Sequence, residues 1–220
     1  MAFQLKRKEF YWSEKIYTNL VVRMLPLIRS RPITPNMVTM LNIANTLVVF
    51  WLIWEAQWLV VSILVQLYLF LDILDGNLAR YKKLSSKTGA VLDRISDNLF
   101  YNGTFIVLGI RLDVTVYWLI AYLLVFNLYA AIATWYIVPR IRKMKRFERR
   151  GLKKWFMNRG IILGMDLSTQ DALTSILILT PFRQWILPIV TMLYTIDLLY
   201  RLTELHRNVR ASASDNAPSI

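Results

Sequence analysis

The chain has 220 residues, 56% of them hydrophobic, and carries a formal net charge of +13. That composition excludes a disordered chain and argues against an ordinary soluble domain; five to seven spans of about 20 residues consume most of the length and leave no room for a second catalytic domain. There is no Cys, and the single His, His206, lies past the last apolar run, so disulfides, thiol nucleophiles and thiolate metal sites are excluded and histidine catalysis is disfavoured.

The basic balance fits loops facing an anionic membrane leaflet, and no nucleic-acid-binding motif accompanies it. The first ten residues, MAFQLKRKEF, have no apolar core, so no signal peptide is expected. Residues 5–30 mix Lys15, Arg23 and Arg29 with Phe10, Trp12, Ile16, Leu20 and Leu25. The run is too charged to span and reads as an amphipathic helix in the membrane interface, kinked or ended at Pro26. Thr34-Pro35 is a helix start, with Thr34 as cap and Pro35 in the first turn, and opens a first span over about 36–54. The connection Glu55-Ala56-Gln57 leads to a second span over about 58–81, anchored by Trp58.

The end of that span and the start of the next hold the chemistry. Asp72, Asp75, Gly76 and Ala79 fall at i, i+3, i+4 and i+7, one stripe of a helix. Gly89, Asp93 and Asp97 fall at i, i+4 and i+8 on a third span of about 89–109. The short turn 82–88 sets the two helices side by side, so four carboxylates face a gap lined by small residues. An Asp at the centre of a membrane helix costs roughly 2.5–3.5 kcal/mol, and four unpaired ones on the order of 10 kcal/mol. Arg80 and Arg94 do not by themselves neutralise four anions. An all-oxygen donor set suits a hard cation, Mg²⁺ or Mn²⁺, and has the capacity for two ions about 3.5–4 Å apart. Asp72 lies about 12 Å from Arg80 along the helix axis, below the surface but near one leaflet.

The fourth span is expected over about 114–138. Pro139 then opens the most basic stretch, with ten Lys or Arg in residues 140–159 against one acid, Glu148. Attraction to anionic lipid accounts for it; the sharper reading has Arg149, Arg150, Lys153 or Arg159 binding a phosphate. A short fifth span, about 166–180, opens with Asp166, Ser168 and Gln170. The sixth, about 185–202, contains Asp197, which can pair with Arg201 at i+4. With both termini on one side, only Arg111 and Arg183 of the 27 Lys and Arg residues fall on the other, which assigns termini and carboxylates to the cytoplasm. The expected organisation is therefore all-α: an interfacial helical segment at 1–33, six transmembrane helices within 34–205, and a disordered cytoplasmic tail at 206–220.

The residues Asp72, Asp75, Gly76, Ala79, Arg80, Gly89, Asp93 and Asp97 satisfy D-x2-D-G-x2-A-R-x8-G-x3-D-x3-D. This resembles the signature of the CDP-alcohol phosphotransferases, also called CDP-alcohol phosphatidyltransferases. The resemblance implies an integral membrane enzyme that moves a phospho-alcohol or phosphatidyl group from a CDP-alcohol to an acceptor hydroxyl and releases CMP, in phospholipid synthesis. It implies Asp72, Asp75, Asp93 and Asp97 as ligands of Mg²⁺ or Mn²⁺, with Asp97 also the general base. Gly76, Ala79, Arg80 and Gly89 would receive the CDP moiety. Asn36 is either near the nucleotide or simply a polar residue at a helix end. A homodimer is implied as well. Whether the lipid is donor or acceptor, and which polar alcohol takes part, stays open. A cation carrier using the same carboxylates is the alternative from another class; it needs a polar path through the membrane, and the first and fourth spans offer few polar residues.

Overall fold

A computed structural model describes residues 10–144, 147–149 and 151–215. After a two-residue strand, β1 (Phe10–Tyr11), the interfacial helix α1 runs Trp12–Ile28. Glu14 Oε2 accepts from the Tyr11 N–H at 3.4 Å and closes its first turn. Pro26 sits inside its last turn and does not stop it earlier. Val21 and Leu25 are fully buried against the bundle, whereas Ile16, Leu20 and Leu27 face outward, as an interface-lying helix requires. Val21 and Leu25 share a core cluster with Val38, Leu71, Leu74 and Leu78, which docks α1 onto the next two helices.

Helix α2 (Pro35–Trp54) begins as expected: Thr34 Oγ1 accepts from the Met37 N–H at 3.3 Å, and Pro35 occupies the first turn. Helix α3 (Trp58–Tyr81) returns beside it after a turn in which Ala56 takes φ 54°. Burial of apolar surface does not drive association among lipid tails, so interhelical hydrogen bonds and close packing carry this pair. Asn42 Nδ2 donates to the Tyr68 carbonyl at 3.2 Å, and Asn45 Nδ2 to the Leu64 carbonyl at 3.1 Å. Each such bond contributes about 0.6–2 kcal/mol.

Lys83 at φ 57° turns the chain, and Ser86 Oγ caps α4 (Lys87–Asn98) by accepting from the Gly89 N–H at 3.0 Å. A π-helical turn, Leu99–Gly103, joins α4 to α5 (Thr104–Arg111), so the third rod is continuous but carries an extra residue in mid-helix. Helix α6 (Val116–Ile132) continues through a second π turn, Ala133–Ile137, into α7 (Val138–Lys143). The fourth helix therefore passes Pro139 rather than ending before it. The widened turn preceding Pro139 accommodates a residue that lacks the N–H of a regular helix.

The basic stretch contains a short helix, α8 (Gly151–Met157), followed by β2 (Ile161–Ile162), which pairs in parallel with β1. Helix α9 (Leu167–Leu177) has 11 residues, about 17 Å, and is shorter than the expected fifth span. Seven of its residues, all from Ser168 to Ser175 except Leu173, are buried, most of them polar, so the bundle surrounds it. Gln66 Nε2 of α3 donates to Ser175 Oγ at 2.7 Å, and Ser62 Oγ to the Ser175 carbonyl at 2.8 Å. After the 3₁₀ turn Arg183–Trp185, α10 runs Ile186–Asp215. It overshoots the expected end near 202 and converts residues 206–215 of the expected disordered tail into helix, because no Gly or Pro interrupts it. Asn208 ties this extension to the basic stretch, accepting from the Glu148 N–H at 2.8 Å and donating to its carbonyl at 3.1 Å.

The chain is thus an all-α membrane protein built on six rods. Among the described residues, four helices are long and apolar enough to cross a membrane: Pro35–Trp54, Trp58–Tyr81, Val116–Lys143 and Arg183–Ala211. The third rod falls short because it carries Asp93, Arg94 and Asp97, and α9 because of its length. An aromatic core of Tyr68, Phe100, Tyr101, Phe105, Tyr122, Phe126, Tyr129 and Tyr194 fills the centre and backs the carboxylate-bearing turns.

Candidate active site

The turn between α3 and α4 folds the two stripes onto each other. Asp72, Asp75 and Asp93 each present a carboxylate oxygen within 4.8 Å of the others'. Asp75 is 5% exposed, and Thr39 Oγ1 donates to its Oδ2 at 2.6 Å. Three converging hard donors at this separation fit a divalent cation, with coordination sites left for a phosphate or water.

Beside the carboxylates lies a cavity of about 160 Å³. Asn36, Asp75, Gly76, Ala79, Arg80, Gly89 and Asp93 all line it, so every residue assigned to the CDP moiety faces this one space. The first turns of α2 supply a third wall, Pro35, Asn36 and Thr39, of which the sequence had pointed only to Asn36. Thr39 stands three residues after Asn36, on the same helix face; that spacing was the available signal. A Cβ added to Gly89 would stand 3.0 Å from Asn36 Oδ1 and 3.1 Å from Ser86 Oγ, so glycine holds the α2–α4 approach open. At Gly76 the nearest atoms to an added Cβ are those of the Arg80 guanidinium, at 3.7 Å. Arg80 Nη2 in turn donates to Asn77 Oδ1 at 3.1 Å, which orients the guanidinium along the cavity.

Asp97 lies outside the set of three that are mutually within 4.8 Å. Its Oδ1 accepts from the Tyr68 hydroxyl at 3.1 Å, and Tyr68 also lies 3.3 Å from Ser96 Oγ. Two other acids are accounted for locally. Asp171 is buried in α9 and accepts from the Tyr101 hydroxyl at 3.0 Å. Asp197 pairs with Arg201 at 2.6 Å, the expected i+4 contact, with Lys153 at 3.0 Å, and accepts from the Tyr129 hydroxyl at 2.7 Å.

No described residue of the basic stretch lines the carboxylate cavity. Lys153 and Arg149 line a second, smaller cavity of about 70 Å³ together with Tyr11, Arg201 and Glu204. Arg159 is exposed and lies 3.6 Å over the Trp155 ring. Arg150 lies outside the described residues.

Comparison with known proteins agrees with this geometry. The family model for CDP-alcohol phosphatidyltransferase matches residues 32–196, three quarters of the chain and all of the cavity. No curated protein sequence matches significantly. Two solved structures of the phosphatidylinositol phosphate synthase PgsA1 of Mycobacterium tuberculosis share the fold. One, with CDP-DAG bound, superposes with a TM-score of 0.53 at 15% identity, covering 87% of this chain and 94% of that one. The other, in complex with manganese and citrate, gives 0.51 at 17% identity, covering 86% and 88%. With its motif complete, its motif residues gathered on one cavity and its fold shared, the chain belongs to the CDP-alcohol phosphatidyltransferase family.

Proposed function

We propose that the protein transfers a phosphatidyl group from CDP-diacylglycerol to the hydroxyl of a polar, anionic acceptor, with CMP as the leaving group. The observation that carries this reading is the single cavity on which the CDP-binding motif residues and two of the three converging carboxylates meet. The solved relative with bound CDP-DAG supports a lipid donor.

In this reading Asp72, Asp75 and Asp93 hold a divalent cation; manganese in a structural relative supports the choice of Mg²⁺ or Mn²⁺, and the donor set has room for two ions. A cation held by these three carboxylates would supply neutralisation of the charge on the pyrophosphate and the departing CMP. Arg80 and the backbone beside Gly76, Ala79 and Gly89 receive the cytidine diphosphate, with Asn36 at the far wall. Asp97 takes the proton of the acceptor hydroxyl. The acceptor oxygen forms the new bond to the phosphorus distal to cytidine, the bond from that phosphorus to the CMP oxygen breaks, and CMP departs with the electron pair. Arg149, Arg150, Lys153 and Arg159 are the groups assigned to an anionic acceptor; Arg149 and Lys153 border the second cavity and not the carboxylate cavity. The active site and both termini are cytoplasmic, and the protein works as a homodimer. Family membership weighs against cation transport by the same carboxylates.

The test is CMP release by the purified protein in liposomes. CDP-diacylglycerol would be offered with a panel of polar acceptors, and CDP-choline or CDP-ethanolamine with diacylglycerol, each with Mg²⁺, Mn²⁺ or chelator. Metal-dependent CMP release with CDP-diacylglycerol and one acceptor, reduced at least a hundredfold by Asp97→Asn, is expected. Release with only the CDP-linked polar alcohols would reverse the direction of transfer.

A further inference from the structure

Tyr68 lies one helical turn before Asp72, outside the motif, and in the sequence looks like one more aromatic residue of an apolar span. Its ring is fully buried and stacks on Phe100, with centroids 3.5 Å apart and planes 4° from parallel. The hydroxyl is what packing leaves unexplained. It points at Asp97 Oδ1, 3.1 Å away, and at Ser96 Oγ, 3.3 Å away. A phenol has one proton and a carboxylate has none, so the Tyr68 O–H donates to Asp97 and the Ser96 hydroxyl donates to the Tyr68 oxygen. Among the described residues, Asp97 Oδ2 accepts no hydrogen bond.

We propose that Tyr68 is a positioning residue for the transfer reaction: its hydroxyl holds Oδ1 of Asp97, fixes the orientation of that carboxylate beside the Asp72–Asp75–Asp93 group, and leaves Oδ2 directed to the acceptor hydroxyl. This rests on the reading of Asp97 as the general base. The structure gives the reason such a device is needed. Asp93 and Asp97 are separated by one turn of the same helix and lie on one face, so a cation held by Asp93 also attracts Asp97. A neutral donor anchored by ring stacking opposes that pull without adding charge. The short chain from Ser96 through Tyr68 to Asp97 is built by α3 and α4 alone, next to the residues that bind the cation. Tyr68 exchanges no proton with substrate; it acts through Asp97 only.

The test is a double-mutant cycle with Tyr68→Phe and Asp97→Asn in the full-length protein in liposomes. Phe keeps the ring and its stacking and removes only the hydroxyl. Tyr68→Phe is expected to lower kcat about tenfold, as loss of orientation of a reacting group does. KM for the CDP-alcohol and the metal concentration for half-maximal activity should change less than twofold, and the thermal midpoint should be close to that of the parent. In the Asp97→Asn background the same change should lower kcat no further. A purely structural role predicts an unchanged kcat for Tyr68→Phe, and that result would overturn the proposal. So would an equal kcat loss in both backgrounds, or a rise in KM and metal requirement that accounts for the loss. An Asp97→Asn protein with full activity would instead remove Asp97 as the base, and the proposal with it.

Discussion

At the scale of single residues, the site is a set of carboxylates held by neutral hydroxyl donors in a cavity kept open by glycine. Thr39, on α2, donates at 2.6 Å to Asp75, a proposed metal ligand. Groups that orient a metal ligand typically contribute 10–100-fold in affinity. Thr39→Val is therefore expected to raise the metal concentration for half-maximal CMP release about tenfold while leaving the fold intact; an unchanged metal titration would show that Asp75 is positioned by its helix alone. Gly89 gives an opposite pairing of effects. Gly to Ala inside a helix gains about 0.5–1 kcal/mol of stability. An added Cβ, however, pushes on Asn36 and Ser86 at 3.0 and 3.1 Å and narrows the cavity. Gly89→Ala should unfold at the same or a higher temperature yet show a KM for the CDP-alcohol raised about tenfold, equivalent to about 1.4 kcal/mol of lost binding. The motif residues were readable in the sequence because both stripes follow helical spacing and carry charge where charge is costly. Thr39 and Tyr68 were not, because a hydroxyl inside an apolar span reveals its partner only when another helix is placed against it.

At the scale of helices, irregular turns set the geometry. The π turn at Leu99–Gly103 passes Phe50 of α2, and a Cβ on Gly103 would lie 2.5 Å from the Phe50 ring. Gly103→Ala is expected to destabilise the protein by about 1–3 kcal/mol, with most of the loss recovered by Phe50→Leu; differential scanning of the two single variants and the double variant measures this. Lys153, Asp197, Arg201, Tyr11 and Tyr129 form a second fastening, joining α8, α10, α6 and the start of α1. Gly164 fits beside it at φ 154°, where a Cβ would lie 2.8 Å from Asp197 Oδ1. Asp197→Asn leaves two cations facing one neutral group, and about 3 kcal/mol of stability should be lost. The pairing of Asp197 with Arg201 was legible at i+4. The contribution of Lys153, 44 residues away in sequence, was not, and its ion pair takes a residue assigned to phosphate binding into a structural role as well. Helix α9 misled in length because its polar residues, read as the start of a span, are buried by neighbouring helices throughout.

At the scale of the whole molecule, charge distribution and helix count bound the arrangement more firmly than any one span does. Among the described residues four of the six rods meet the requirements of length and apolarity, and the other two bring polar groups inward: the third rod with its carboxylates and α9 with its buried hydroxyls and amides. Orientation is open to direct measurement because the chain has no Cys. Single cysteines at Lys83 and Gln57, at opposite ends of α3, should differ in intact cells. The impermeant maleimide should label Gln57→Cys, and label Lys83→Cys only after the cells are opened; the reverse pattern would invert the protein in the membrane. The proposed transfer depends on one centre, the group of Asp72, Asp75 and Asp93 beside the cavity. Its most direct test is Mn²⁺ binding to the purified protein, followed by electron paramagnetic resonance with and without CDP. Saturable binding that is abolished by Asp75→Asn, with the Mn²⁺ signal altered by CDP, is the predicted result. Mn²⁺ bound equally well by Asp75→Asn, or a signal indifferent to CDP, would contradict it.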